Sequence, residues 1–135
     1  MRLFVDAGAW FALRCRSDQD HVRAGDFFRG LEAEPFLLYT TDYVVDEAVT
    51  LIRERVSHRD AVAFLDMIGR TPQITRRHVE PGLLDKAEAI LRRYSDKRWS
   101  YTDCVSFAYM DEIGLDDAFT FDRNFAQYGK RVHPA

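Results

Sequence analysis

Four carboxylic acids, Asp6, Glu47, Asp103 and Asp122, are placed where side chains can do chemistry. Asp6 follows the apolar run Leu3-Phe4-Val5 directly, and Asp122 follows Phe119-Thr120-Phe121 by a single step. If those runs are strands of an open parallel sheet, both acids lie at carboxyl ends, where loops and helix starts converge into sites. Either one alone is also explained as the cap of the next helix. Glu47 falls in a stretch with helical patterning from Tyr43 to Val56, where Tyr43, Val44 and Leu51 share its face. A carboxylate in apolar company is normally neutralised, paired or bound to metal, unless it sits at a rim and reaches solvent. Asp46 lacks that company. Asp103 opens a helix whose face continues through Ser106, Phe107 and Met110, although an acid in a first turn also suits the helix dipole.

Convergence of all four is what the separate explanations do not predict. Four carboxylates at one edge repel, which raises some pKa values unless cations sit among them. An all-oxygen donor set, with no His or Cys at metal spacing, selects Mg2+ or Mn2+ over Zn2+. Such a site activates a water and steadies charge on a phosphoryl centre. His21, His58, His78 and His133 are scattered, and each is assigned a surface or packing role.

The elements that must position the acids follow from the apolar patterning. Arg2 to Val5 reads as a first buried strand ending on Asp6-Ala7-Gly8. A short helix is expected over Ala9 to Arg16. A longer one is expected over Asp18 to Glu34, with Val22, Phe27, Phe28 and Leu31 inward and Pro35 as its stop. Phe36 to Thr40 is the second strand, leading through Asp42, the expected cap, into the Glu47 helix. His58 to Arg70 is amphipathic, with a stripe of Ala61, Phe64, Leu65 and Ile68. Gln73 to Glu80 is a third strand, followed by a Pro81-led helix to about Tyr94 and a basic loop, Ser95 to Trp99. Thr102 to Ile113 is helical and ends at Gly114; Asp117 to Phe121 is the fourth strand, and Arg131-Val132 a short fifth. Alternating strands and helices imply right-handed crossovers, hence an α/β fold: a three-layer α/β/α sandwich on a mainly parallel sheet of four to five strands. No repeat, low-complexity tract or linker divides residues 1–135, so one domain is expected.

Composition narrows the class. The chain is 47% hydrophobic and 30% charged, as an ordinary globular protein is. A formal net charge of -3 argues against coating nucleic acid by bulk electrostatics. Its 19 basic residues include only three lysines, Lys86, Lys97 and Lys130, and arginine forks suit phosphate. Cys15 and Cys104 are too few for a disulfide framework, which with the acid-interrupted N-terminal run points to a cytoplasmic protein with no signal peptide. No stretch approaches the roughly 20 apolar residues of a membrane span.

Taken together, Phe4-Val5-Asp6, Val45-Asp46-Glu47-Ala48, Tyr101-Thr102-Asp103-Cys104 and Thr120-Phe121-Asp122-Arg123-Asn124-Phe125 resemble the PIN-domain family, specifically toxins of the VapC type. The resemblance covers essentially the whole chain. It implies a compact α/β/α fold, metal-dependent endoribonuclease activity, an antitoxin partner that occludes the acidic site, and a homodimer. On that match Asp6, Glu47, Asp103 and Asp122 take catalytic, metal-binding roles, with Asp6 and Asp103 as direct ligands of Mg2+ or Mn2+. Thr102 or Ser106 would supply the small hydroxyl that often accompanies the third acid. Asn124 stands where related sequences often show histidine, a departure outside the acid set. The reaction implied is hydrolysis by metal-activated water, leaving a 5′-phosphate and a 3′-hydroxyl without a catalytic histidine.

RNA is expected over Arg14 and Arg16, or over Arg92, Arg93, Lys97 and Arg98, with Trp10 or Trp99 as a stacking surface; Arg98 and Trp99 are favoured because they lead into Asp103. The helix face around Phe64, Leu65 and Ile68 is a dimer face or core. Three alternatives stand beside the toxin reading. An aspartyl-phosphate phosphatase or receiver domain lacks support, because Gly8 occupies the place of its second Asp and Lys130 is a poor late-strand lysine. An interaction module that kept the fold and lost the chemistry, and a housekeeping RNA-processing nuclease, remain open.

Overall fold

The computed structural model describes residues 1–135. Strands β1 (Arg2–Val5), β2 (Leu37–Thr41), β3 (Ile74–Arg77), β4 (Asp117–Phe119) and β5 (Arg131–His133) form one sheet, in the order β3-β2-β1-β4-β5. All four pairings are parallel. Helices α1 (Ala7–Arg14), α2 (His21–Leu31), α3 (Asp42–Arg55), α4 (His58–Arg70), α5 (Pro81–Arg93), α6 (Tyr101–Glu112) and α7 (Arg123–Gln127) complete a three-layer α/β/α sandwich.

The centre of the sheet is the strand with no polar residue to spare. Leu3, Phe4 and Val5 of β1 are fully buried, the continuous apolar run expected of a parallel strand covered on both faces. Register places Phe4 opposite Tyr39 and Ala118, and Val5 opposite Phe119. The chain therefore leaves β1 at Asp6 and β4 at Thr120 side by side, and the Asp6 amide donates to the Phe119 carbonyl at 3.2 Å. Helix α6 is unusual in having no solvent face from Asp103 to Met110, where all eight residues are buried. Phe107 at its middle packs edge-on against Trp99 and Phe125 and face-on against Tyr128, at ring separations of 5.1, 5.0 and 4.4 Å. Gly114, at φ +65°, ends the helix in the left-handed conformation that a C-terminal glycine supplies.

Several sequence expectations are corrected. The cap of α3 is Thr41, whose hydroxyl accepts from the Val44 amide at 3.2 Å; Asp42 instead accepts from Arg76 Nε at 2.7 Å and from the Val79 amide at 2.9 Å, tying α3 to the exit of β3. Strand β4 stops at Phe119, because Thr120 turns to bond Asp6 and Asp122, and the short helix α7 that follows is the one the cap reading of Asp122 implied without giving its bounds. The first two helices begin and end elsewhere: α1 starts immediately after Asp6, and α2 waits until His21 because Asp18 turns the chain by accepting from the Asp20 amide. Val22 and Leu65, expected inward, are 70% and 40% exposed. Phe64 and Ile68 are core, the second of the two roles read for that face, and the exposed apolar residues of α4 are Val62 and Leu65.

Thr41→Val keeps the volume of a fully buried side chain and removes only the cap. It is expected to cost about 1 kcal/mol, read as a lower urea midpoint at an unchanged slope.

Candidate active site at the carboxyl edge of the sheet

Three of the four acids, Asp6, Asp103 and Asp122, reach the site from the end of an element, and Glu47 from within α3. Asp6 is the N-cap residue of α1 but makes no capping bond with its side chain, so its carboxylate is left for other partners. It is only 7% exposed, and Thr120 Oγ1 donates to its Oδ2 at 3.2 Å. Asp103 closes a capping box with Ser100: its amide donates to Ser100 Oγ at 3.0 Å, and its Oδ2 accepts from the Ser100 amide at 3.1 Å. Asp122 caps α7, its Oδ1 accepting from the Asn124 amide at 2.9 Å. The cap explanation thus holds for Asp122 and not for the Asp6 side chain, and Asp103 does lie in a first helical turn, together with convergence and not against it.

Asn124 joins the two. Its Nδ2 donates to Asp103 Oδ2 at 3.0 Å and to Asp122 Oδ2 at 3.3 Å, placing a partial positive charge between carboxylates that would otherwise face each other bare. Glu47 stands exposed at the rim of α3, the solvent-reaching alternative of the sequence reading. Asp6, Glu47 and Asp122 line an open groove of about 410 Å3 with Gly8, Leu51, Phe121 and Arg123.

The electrostatics show that the groups feel one another. Burial pushes the Asp6 carboxyl up to about 7, and the nearby charges of Asp103, Glu47 and Asp122 push the same way against a backbone hydrogen bond that lowers it. Asp103 is raised, mainly by burial, with Asn124 and Ser100 opposing. Glu47 is raised by partial loss of hydration and then by the charges of Asp103 and Asp122. As the side chains stand, no group of three or more of the chain's Asp, Glu, His and Cys residues is close enough together to hold a metal ion. The donor set nevertheless fits a hard divalent ion: it is all oxygen, and its charges are held together at the cost of raised pKa values that a cation would relieve.

The supporting residues differ from those expected. Ser106 is fully buried and its hydroxyl donates to the Thr102 carbonyl one turn back, so it is committed to the helix; the hydroxyl that touches an acid is that of Thr120. Trp99, expected to stack on RNA, is 6% exposed, with Tyr94, Phe107 and Tyr128 around its ring and its Nε1 donating to Gln127. Trp10 is buried as well. Arg98 is exposed beside Trp99. Thr120 was visible in the sequence only as a polar residue between Phe119 and Phe121, and Asn124 only as a departure from a motif.

This fold is that of a PIN domain: the profile of that domain matches residues 3–131, and the chain belongs to the PIN-domain family. Among its relatives is the 23S rRNA-specific endonuclease VapC20 of Mycobacterium tuberculosis, 33% identical over 128 residues that cover 94% of each chain, in each of two strains. The crystal structure of that VapC20, described as a sarcin-ricin loop cleaving toxin, superposes with a TM-score of 0.85 at 31% identity over 95% of each chain.

Asp6 supplies a stability test. Unfolded, its carboxyl loses its proton near 3.8; folded, it keeps it to about 7. Between these limits the folded state binds the extra proton, so this group makes stability fall as pH rises through the window. Asp6→Asn cannot ionise. With EDTA present, its advantage over the wild type in urea unfolding is expected to be small near pH 4 and to grow, by on the order of 1 to 4 kcal/mol, toward about pH 8. Parallel pH profiles would show that Asp6 is not held against its charge.

Proposed function

We propose that this chain is a Mg2+- or Mn2+-dependent endoribonuclease, the toxin of a toxin–antitoxin pair. The observation that carries the reading is Asp6: a buried carboxyl at the end of the central strand, pushed up to about 7 and sharing its field with three further acids. Family membership adds support, as does the 23S rRNA-specific endonuclease among the relatives. A divalent ion bound there supplies charge for the phosphoryl centre and lowers the pKa of a water.

The chain's own residues do the positioning. Thr120 keeps the Asp6 carboxylate from rotating, the Ser100 box fixes Asp103 in the first turn of α6, and Asn124 holds Asp103 and Asp122 at a set separation. Asp6 and Asp103, the two most buried acids, are assigned as direct ligands, with Asp122 beside them and Glu47 at the rim orienting water. Domain extent 1–135, a cytoplasmic setting, homodimerisation and a cognate antitoxin belong to the same reading. No helix is long and apolar enough to cross a membrane.

The test is cleavage of ribosomal and transfer RNA by wild type and Asp6→Asn, with Mg2+ or Mn2+ and with EDTA, mapping product ends. Cleavage that needs both metal and Asp6 and leaves 5′-phosphates is expected. Products with 2′,3′-cyclic phosphates would contradict the hydrolytic step. No cleavage by either protein, together with no thermal stabilisation of the wild type by divalent ions, would favour an interaction module. Asn124→Ala is expected to weaken the metal-induced rise in melting temperature and to lower kcat by at least tenfold with KM little changed, because it frees two acids to repel without removing either.

A further inference from the structure

The acidic groove does not end at the acids. Phe121, Asp122 and Arg123 line it, and the same three residues line a second groove of about 350 Å3 that runs on over Asp20 and Arg23 toward Val132. At the junction stands Phe121. Its ring is half-buried and braced edge-on by Phe119 at 6.1 Å, so it is held without being enclosed. The Arg23 guanidinium lies 5.4 Å from the ring centroid. Arg23 has 56% of its side chain exposed, and its one carboxylate partner, Asp20, is at 3.8 Å, too far to occupy its donors. Arg123 is exposed where the grooves meet.

A half-open aromatic ring with a guanidinium beside it is a platform for a flat π-system, and every nucleobase presents one. The two arginines are also the cations nearest to an otherwise acidic path, where a phosphodiester would need them. A duplex buries its base faces in its own stack and cannot use such a platform, whereas an unpaired nucleotide can. We propose that the second groove receives one unpaired nucleotide adjoining the scissile phosphate, its base stacked against the Arg23–Phe121 pair and its phosphate toward Arg123. This rests on the nuclease reading of the acid site and adds to it the side chains that would hold the nucleotide beside the acids, Arg23, Phe121 and Arg123.

Binding can be read apart from cleavage by using Asp6→Asn as the parent protein. A labelled, unstructured oligoribonucleotide and a duplex of the same length would be titrated by fluorescence anisotropy against the parent and against the parent carrying Phe121→Leu or Arg23→Gln. Each added change is expected to weaken single-strand binding by about tenfold, the scale of one lost base stack, and to leave the duplex unaffected at an unchanged melting temperature. Should Phe121→Leu disturb folding, Arg23→Gln, on an exposed side chain, decides alone. Unchanged single-strand affinity in the folded variants, or equal losses on single strand and duplex, would overturn the subsite while leaving the nuclease reading in place. A parent that binds no RNA, with a wild type that cuts none, would remove both.

Discussion

A buried carboxylate needs a proton, a donor or a cation, and Asp6 is where this fold confronts that need. It is placed by β1, the most completely buried strand, and every neighbour of β1 contributes to the answer. Strand β4, paired with β1, delivers Thr120 to donate to it; α6 and α7 bring Asp103 and Asp122 close enough to be felt as charge. The arrangement withholds full compensation. One neutral hydroxyl and a backbone hydrogen bond do not balance burial plus three acids, and the carboxyl is left with a proton affinity well above its ordinary value. A site held in that condition is ready for a positive ion.

Asp122 divides two jobs between its oxygens, and Asp103 gives both to one. Asp122 caps α7 through Oδ1 and meets Asn124 through Oδ2; Asp103 receives both the Ser100 amide and Asn124 on Oδ2, which leaves Oδ1 outside those bonds. Capping fixes the direction of each side chain from its own backbone, so the geometry of the site is set locally and needs little from distant packing. The sheet then has only to bring the caps together, which its parallel register does.

What the sequence disclosed followed from periodicity. Apolar runs ending on Asp6 and Asp122, and an apolar helical face beginning at Asp103, placed three acids at element ends; the crossover rule then put those ends on one edge. What it withheld were distances. Ser106 looks suited to support an acid until helix geometry commits its hydroxyl to the Thr102 carbonyl, and Thr120 is aimed at Asp6 only by the turn after Phe119. Helix α7, at five residues, is too short to show a period. Tryptophans read as stacking surfaces turned out to be packing, because a large apolar ring beside a basic loop has the same sequence signature whether the loop folds over it or not. Phe121, read as the last residue of the fourth strand, lies beyond it and is left half-open.

The absence of any solvent face along α6 from Asp103 to Met110 bears on how this protein would answer genetic selection. Across these eight consecutive positions a new polar group without a partner or a change of volume is costly, and only the first of them belongs to the acid set. Among variants chosen for loss of activity, α6 would be over-represented through failures of folding abundance and not of chemistry. A map of inactivating positions on this chain would therefore draw the pillar of the fold as heavily as its site, and only a parallel measure of soluble protein would separate the two.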